Sequence, residues 1–225
     1  MNLSPESIER LRSLVEGAPR RIVVLSHTNP DGDAVGSSIA WAEALRGRGH
    51  SVTCIVPNKY PYYLDWMTGI RDIVIYKNEA DRAASLIAEA DAIFCLDFHS
   101  LSRLDQLSEV IAANTSAKRV LIDHHLNPTE QFDIMFSHPE SSSTCFLVYK
   151  VIEALWGAQS VTPSQAEVLY VGMMTDTGNF SFSHLTPDLY MSLAVLCATG
   201  INIPQIYNNV YNSFTEGRAR LFGYT

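Results

Sequence analysis

The sequence predicts an α/β fold: a mainly parallel sheet with helices on both faces, followed by a helical second half. Three observations carry that expectation. Short β-branched or otherwise apolar runs alternate with amphipathic helical patterns as far as residue 123. Those runs are apolar at almost every position rather than at alternate ones, as strands covered on both faces require. From about residue 141 the strand-like runs stop, and each later segment opens on a helix-start signal.

Taken in order, Ser4 followed by Pro5 reads as a helix cap with proline at the first helical position, opening a helix to about Glu16 before the break Gly17-Ala18-Pro19. "RIVVLS" (21–26), "SVTCIV" (51–56), "DIVIY" (72–76), "AIFCLD" (92–97) and "RVLID" (119–123) are the expected strands. Helical patterns at 34–48, 79–90 and 102–113 separate most of them, which makes the sheet Rossmann-like. Beyond 141, "SSSTCFLVYKVIEALWG", "TPSQAEVLYVGMMTDTG", "TPDLYMSLAVLCATG" and "IPQIYNNVYNSF" each open on a Ser, Thr or Pro signal, and glycine closes the first and third as well as the second. The final "SFTEGRARLFGYT" is a charged, helix-like lead with no later element to dock on, so either the sequence is one domain or the natural chain continues.

With 225 residues, 47% hydrophobic and 18% charged, the composition is that of a soluble globular protein. The 24 acidic against 16 basic residues, a formal charge of −8, argue against binding to duplex nucleic acid or an anionic membrane surface. No stretch approaches the roughly 20 apolar residues of a spanning helix, and the charged N-terminus is not signal-like. A cytoplasmic protein is expected. Cys54, Cys95, Cys145 and Cys197 are far apart, lack CxxC spacing and read as buried free thiols.

Ligands of an open parallel sheet bind beyond the carboxyl ends of its strands. There the first strand is followed by His27, Asn29, Asp31 and Asp33, the fourth ends on Asp97, and the fifth ends in Asp123, His124 and His125. Asp176, beside Thr177 and Gly178, closes an apolar helical segment far along the chain. A cluster of buried carboxylates needs a counter-charge. An oxygen and nitrogen donor set without thiolate suits manganese, magnesium or iron better than structural zinc, and its size suits two ions sharing a carboxylate. Each motif alone has a plainer reading: "NPDGDA" is also a turn before a helix capped by Asp33, and Asp176 a polar helix end.

In that order "SHTNPDGDAVGS", "CLDFHS", "LIDHHLNP" and "MMTDTGNF" resemble the four motifs of the DHH phosphoesterase superfamily, whose name-giving element stands at 123–125. The form of the first motif is closest to the branch of oligoribonucleases and 3'-phosphoadenosine-5'-phosphate phosphatases, called nanoRNases. It fits family II pyrophosphatases less well. The resemblance implies His27, Asp31 and Asp97 around one divalent ion and Asp33, Asp97, His124 and Asp176 around a second, with Asp97 bridging. It implies His125 against the scissile phosphate and Asp123 orienting the histidines. It further implies a catalytic domain over 1–212, with 213–225 beginning a linker helix to a C-terminal substrate-binding domain that the sequence lacks. The expected reaction is hydrolysis of short oligoribonucleotides and 3'-phosphoadenosine-5'-phosphate by a metal-bridging hydroxide. Short single-stranded RNA or a small nucleotide is the expected partner, with a homodimer left open. Cyclic or linear dinucleotide hydrolysis, RecJ-type single-strand exonuclease action, pyrophosphatase action and a non-catalytic metal-dependent nucleotide-binding module are the alternatives.

The remaining polar and aromatic residues are expected to be structural. His99 reads as a partly exposed loop histidine, and His50, His138 and His184 fall in turns. Ser142, Ser143 and Thr144 read as caps of the next helix, in a loop able to face the crevice. Tyr60, Tyr62, Tyr63 and Trp66 read as a packed helix rather than a base-stacking surface.

Overall fold

Ser4 accepts a hydrogen bond from the Ser7 amide, and Pro5 occupies the first helical position, so α1 (Pro5–Val15) starts where the sequence signals it. The computed structural model describes residues 1–129, 132–182, 184–213, 217 and 220. After α1 come β1 (Arg21–Leu25), α2 (Gly32–Arg46), β2 (Ser51–Val56), β3 (Val74–Ile75), α3 (Ala80–Ala88), β4 (Ala92–Leu96), α4 (Leu107–Ala113), β5 (Lys118–Asp123) and β6 (Ile134–Ser137). The helical half follows as α5 (Thr144–Trp156), α6 (Pro163–Asp176), α7 (Pro187–Ala198) and α8 (Ile203–Tyr207), the last running into a π turn at Asn208–Asn212.

The strands form one sheet in the order β3-β2-β1-β4-β5-β6, every neighbouring pair parallel. Successive side chains of a strand point to opposite faces. Ile22 and Val24 of β1, Phe94 and Leu96 of β4, and Val120 and Ile122 of β5 therefore join α1, α2, α5 and α6 in one core. Val23, Leu25, Ile93, Cys95 and Leu121 join Ala83 and Ile87 of α3 and Leu107 and Ile111 of α4 in the other. Burial on both faces is why these runs show no alternation in the sequence.

Several of the expected elements change. Strand 72–76 shortens to Val74–Ile75 because Ile70–Asp72 closes a 3₁₀ turn. Helix 102–113 divides into a 3₁₀ turn, Leu101–Leu104, and α4, the chain turning at Asp105 with φ of 52°. Strand β6 was not foreseen. It is a four-residue edge strand whose apolar run, Ile134-Met135-Phe136, is only three residues long, with Ile134 and Phe136 buried. Its start is secured by Asp133, whose carboxylate accepts from the Arg119 amide at 2.9 Å and from Lys118 Nζ at 2.8 Å. The Tyr60–Trp66 segment is a packed 3₁₀ turn, Tyr62–Leu64, rather than a helix: Tyr60 is buried with its hydroxyl on the Ile70 carbonyl, while Tyr62 is exposed.

Cys54, Cys95 and Cys145 are buried, but Cys197 is exposed, since α7 buries only the stripe Leu189, Ser192, Leu193 and Leu196. Ser143 caps α5 as expected. His50 is buried in its turn, accepting from the Arg20 amide and donating to the Val15 carbonyl. Among the described residues no single helix is long and apolar enough to cross a membrane. The expected linker helix at 213–225 lies outside the described residues except at 213, 217 and 220.

Helices α2, α5 and α6 converge beside the sheet, and two glycines permit it. A Cβ on Gly36 of α2 would stand 2.4 Å from the Val168 carbonyl of α6. One on Gly172 of α6 would stand 2.2 Å from Cys145 Sγ and 2.9 Å from Asp33 Oδ1. Close approach at these two points brings Asp33 and Asp176 to the carboxyl end of the sheet.

Candidate metal centre

The strand order reverses between β1 and β4, and the crevice beyond that point is where an open parallel sheet binds ligands. His27 and Asp31 follow β1, Asp97 follows β4 directly, and Asp123 is the last residue of β5. Asp97 adopts a left-handed backbone, φ 65°, and Asn29 likewise, φ 56°. Aspartate and asparagine tolerate that region better than other side chains, and such strain collects at functional sites.

Donor atoms of His27, Asp31 and Asp97 lie within 4.8 Å of one another, and so do those of Asp33, His124 and Asp176. Asp97 stands between the two groups. Its Oδ2 is 3.4 Å from His27 Nε2 and its Oδ1 is 3.6 Å from His124 Nε2. His124 Nε2 is also 3.8 Å from Asp33 Oδ2 and 3.4 Å from Asp176 Oδ2. The six expected ligands, His27, Asp31, Asp33, Asp97, His124 and Asp176, thus meet in one place.

Backbone carbonyls orient the imidazoles. His27 Nδ1 donates to the Thr28 carbonyl at 2.8 Å and His124 Nδ1 to the Ser141 carbonyl at 3.3 Å, leaving each Nε2 lone pair facing carboxylates. His125 differs. Its Nδ1 donates to Asp123 Oδ1 at 2.7 Å, so although Asp97, His124 and His125 form a third close group, that nitrogen is already engaged. The Asp123 hydrogen bond raises the His125 pKa above its ordinary value, whereas burial lowers that of His27.

Asp31 rather than Asp33 caps α2. Its Oδ1 accepts from the Asp33 and Ala34 amides at 3.0 and 3.1 Å. Asp33 lies inside the first helical turn, wholly buried, and its carboxylate accepts from the Thr144 and Cys145 amides at 2.6 and 2.7 Å. These are free N–H groups at the start of α5, where the helix dipole favours an anion. Burial and the Asp31 charge nonetheless push the Asp33 carboxyl up to about 6. Burial and Asp33 push Asp176 up to about 7, and burial and Asp33 raise Asp97 as well. Too many carboxylates share one spot, and a proton or a cation must relieve them.

That crowding has a measurable consequence. A carboxyl whose folded-state pKa exceeds its unfolded value favours folding below the unfolded value and loses that contribution as pH rises through the folded one. His27 and His125 shift in opposite senses, so their contributions oppose one another. In chelator the protein is therefore expected to lose stability from about pH 4 to pH 7, the Asp33 shift to about 6 contributing on the order of 3 kcal/mol, or roughly 6–12 °C in Tm. Thermal melts across that range measure it, with Asp33→Asn expected to flatten the slope.

Three participants were not foreseen. Thr144 Oγ1 donates to Asp97 Oδ1 at 2.9 Å, and the Thr144 and Cys145 amides hold Asp33. Arg103 lies near enough for its charge to lower the pKa of both His27 and His125, and its carbonyl accepts from the Thr28 amide at 2.9 Å. The helix-start signal "SSST" was the only trace of the first two. His99 remains a half-buried loop residue outside both principal donor groups, its ring 6.0 Å from that of His125.

A family profile described as the DHH family, N-terminal domain, matches residues 21–173. The bifunctional oligoribonuclease and PAP phosphatase NrnA of Thermus thermophilus is 24% identical over 205 residues, 89% of this chain and 57% of that protein. The crystal structure of an exopolyphosphatase-related protein from Bacteroides fragilis superposes with a TM-score of 0.95 at 40% identity, over 98% of this chain and 64% of that one. A candidate family II inorganic pyrophosphatase of Methanococcus jannaschii, TM-score 0.56 and 18% identity over 84% of this chain and 59% of that one, shares the fold. The chain thus spans 57% of the length of the Thermus relative.

Proposed function

Because the chain belongs to the DHH family, we propose that it is a metal-dependent phosphoesterase in which Asp97 joins two divalent cations. The observation that carries this is the Asp97 carboxylate, one oxygen turned to His27 and the other to His124. His27, Asp31 and Asp97 would hold one cation, and Asp33, His124, Asp176 and Asp97 the other. The residues fit such ions: the donors are oxygen and imidazole nitrogen, the imidazoles present Nε2, and the raised carboxyl pKa values mark negative charge awaiting compensation. Manganese suits the mixture, with magnesium or iron as alternatives.

Bound there, divalent cations supply Lewis acidity, which acidifies a water for attack and neutralises charge on phosphoryl oxygens. The chain's own residues do the rest. Asp123 holds His125 by Nδ1, leaving Nε2 to place a proton on a phosphoryl oxygen. Thr144 and the first amides of α5 hold Asp97 and Asp33 in position. Burial of Asp33, Asp97 and Asp123 keeps solvent from competing for these contacts.

The substrates this reading favours are short single-stranded oligoribonucleotides and 3'-phosphoadenosine-5'-phosphate. The named activities of the Thermus relative and the first-motif form "NPDGDAVGS" support it. Residues 1–212 would form the catalytic domain, and a C-terminal domain would complete the grip on substrate. With manganese, the purified chain is expected to release nucleoside monophosphates from short RNA and phosphate from the adenosine bisphosphate. Chelator should stop both. A faster rate on inorganic pyrophosphate than on either, or no metal-dependent turnover of any of the three, would overturn the assignment.

A further inference from the structure

A cavity of about 340 Å³ adjoins the metal-side loop, lined by Thr28, Asn29, Asn58, Tyr76, Lys77 and Gln106 among others. Thr28 and Asn29 lie between His27 and Asp31, so the cavity begins within one or two residues of the first donor group. Its walls come from the segments that follow β1, β2 and β3 and from the turn before α4, all at the carboxyl end of the sheet. A larger cavity, about 440 Å³, includes Arg20, Lys118 and Ile134 at the opposite strand ends and is a strand length from the chemistry.

The lining is built for neutral polar groups. Asn29 and Asn58 are tied reciprocally, the Asn29 amide N–H to Asn58 Oδ1 at 2.7 Å and Asn58 Nδ2 to Asn29 Oδ1 at 2.9 Å. That tie fixes both carboxamides and leaves the Asn29 NH₂ to donate elsewhere. The Thr28 hydroxyl is buried without a hydrogen-bond partner among the described residues. Tyr76 adds an aromatic surface and Gln106 a further donor and acceptor. One cation, Lys77, and one carboxylate, Asp105, cancel in charge, so this is not a pocket for a bare anion. Its size is at the lower end of the range for small-molecule sites.

We propose that this cavity is a nucleoside subsite: it seats the base and ribose on one side of a phosphate held at the metal centre. The proposal rests on the phosphoesterase reading above and adds that the N-terminal body itself, not only a second domain, selects nucleotides over simple phosphates. Base recognition comes from the Asn29–Asn58 pair and Gln106, with Tyr76 against a ring face. Lys77, at the outer edge and exposed, meets the next phosphate of an oligonucleotide or bisphosphate.

Adenosine 5'-monophosphate and inorganic phosphate, each titrated calorimetrically into the manganese-loaded chain, test this. The nucleotide is expected to bind at least about tenfold more tightly than phosphate. Gln106→Trp, which fills the cavity, and Tyr76→Ala, which strips one wall, should each weaken nucleotide binding by about tenfold or more and leave phosphate affinity in place. Melting curves and manganese titrations of both variants verify that fold and metal loading persist. If the chain hydrolyses short RNA but both variants bind the nucleotide as the unaltered chain does, the subsite is wrong while the phosphoesterase reading stands. If both variants lose nucleotide affinity in a chain that hydrolyses no phosphoester, the subsite stands and that reading falls.

Discussion

Asp97→Asn is expected to empty both cation positions together and to lower phosphoester turnover by at least about a thousandfold. Asp97 is the one carboxylate with an oxygen toward each donor group, so its loss removes a ligand and a negative charge from both. His27→Ala, by contrast, should weaken mainly the cation shared with Asp31. The substitution is nearly isosteric and keeps the oxygen that accepts from Thr144 Oγ1, so the fold should persist. Metal-free Asp97→Asn protein should even melt no lower than the unaltered chain, because burial and Asp33 disfavour the Asp97 charge. Metal counting on chelator-stripped, reloaded protein decides it. Two tightly held manganese ions in Asp97→Asn would remove the bridging assignment.

His125→Gln is expected to lower kcat by about a hundredfold to ten-thousandfold while leaving metal content unchanged. With His125 Nδ1 taken by Asp123, the proposed role is for the ring to contribute its proton rather than a ligand atom. The Asp123 hydrogen bond raises the imidazole pKa, keeping the ring cationic to higher pH than a free histidine. Activity that depends on this proton falls as pH rises through the raised value. Asp123→Asn removes the support, so the alkaline limb of the kcat profile should move to lower pH. Loss of metal in His125→Gln, or an unmoved limb in Asp123→Asn, would place these residues among structural groups instead.

Much of this centre was legible in the sequence because strand ends are local signals. An apolar run closing on Asp97, or on Asp123-His124-His125, announces both the strand and where its polar end points. Legibility failed where local signals conflict with packing. The apolar run of β6 is only three residues long, and Asp33 reads as the helix cap because nothing nearby in sequence shows that Asp31 accepts the first free amides while Asp33 turns away. Cys197 sits among apolar neighbours yet faces outward, since hydrophobic context along a helix does not reveal which stripe is covered.

The parallel α/β body, the carboxyl-end crevice and the candidate aspartates and histidines are readable along the chain, because hydrophobic periodicity and the chemistry after each strand are written in consecutive residues. What holds those side chains in place is set by contacts between distant segments. The amides that grip Asp33 lie 111 and 112 residues further along the chain, and the hydroxyl on Asp97 lies 47 residues away. Gly36 and Gly172 matter solely because α2, α5 and α6 pass so closely there. The side cavity likewise exists only once the segments after β1, β2 and β3 are side by side. Hydrogen bonds and close contacts between distant segments depend on the relative placement of whole elements, which no local pattern encodes.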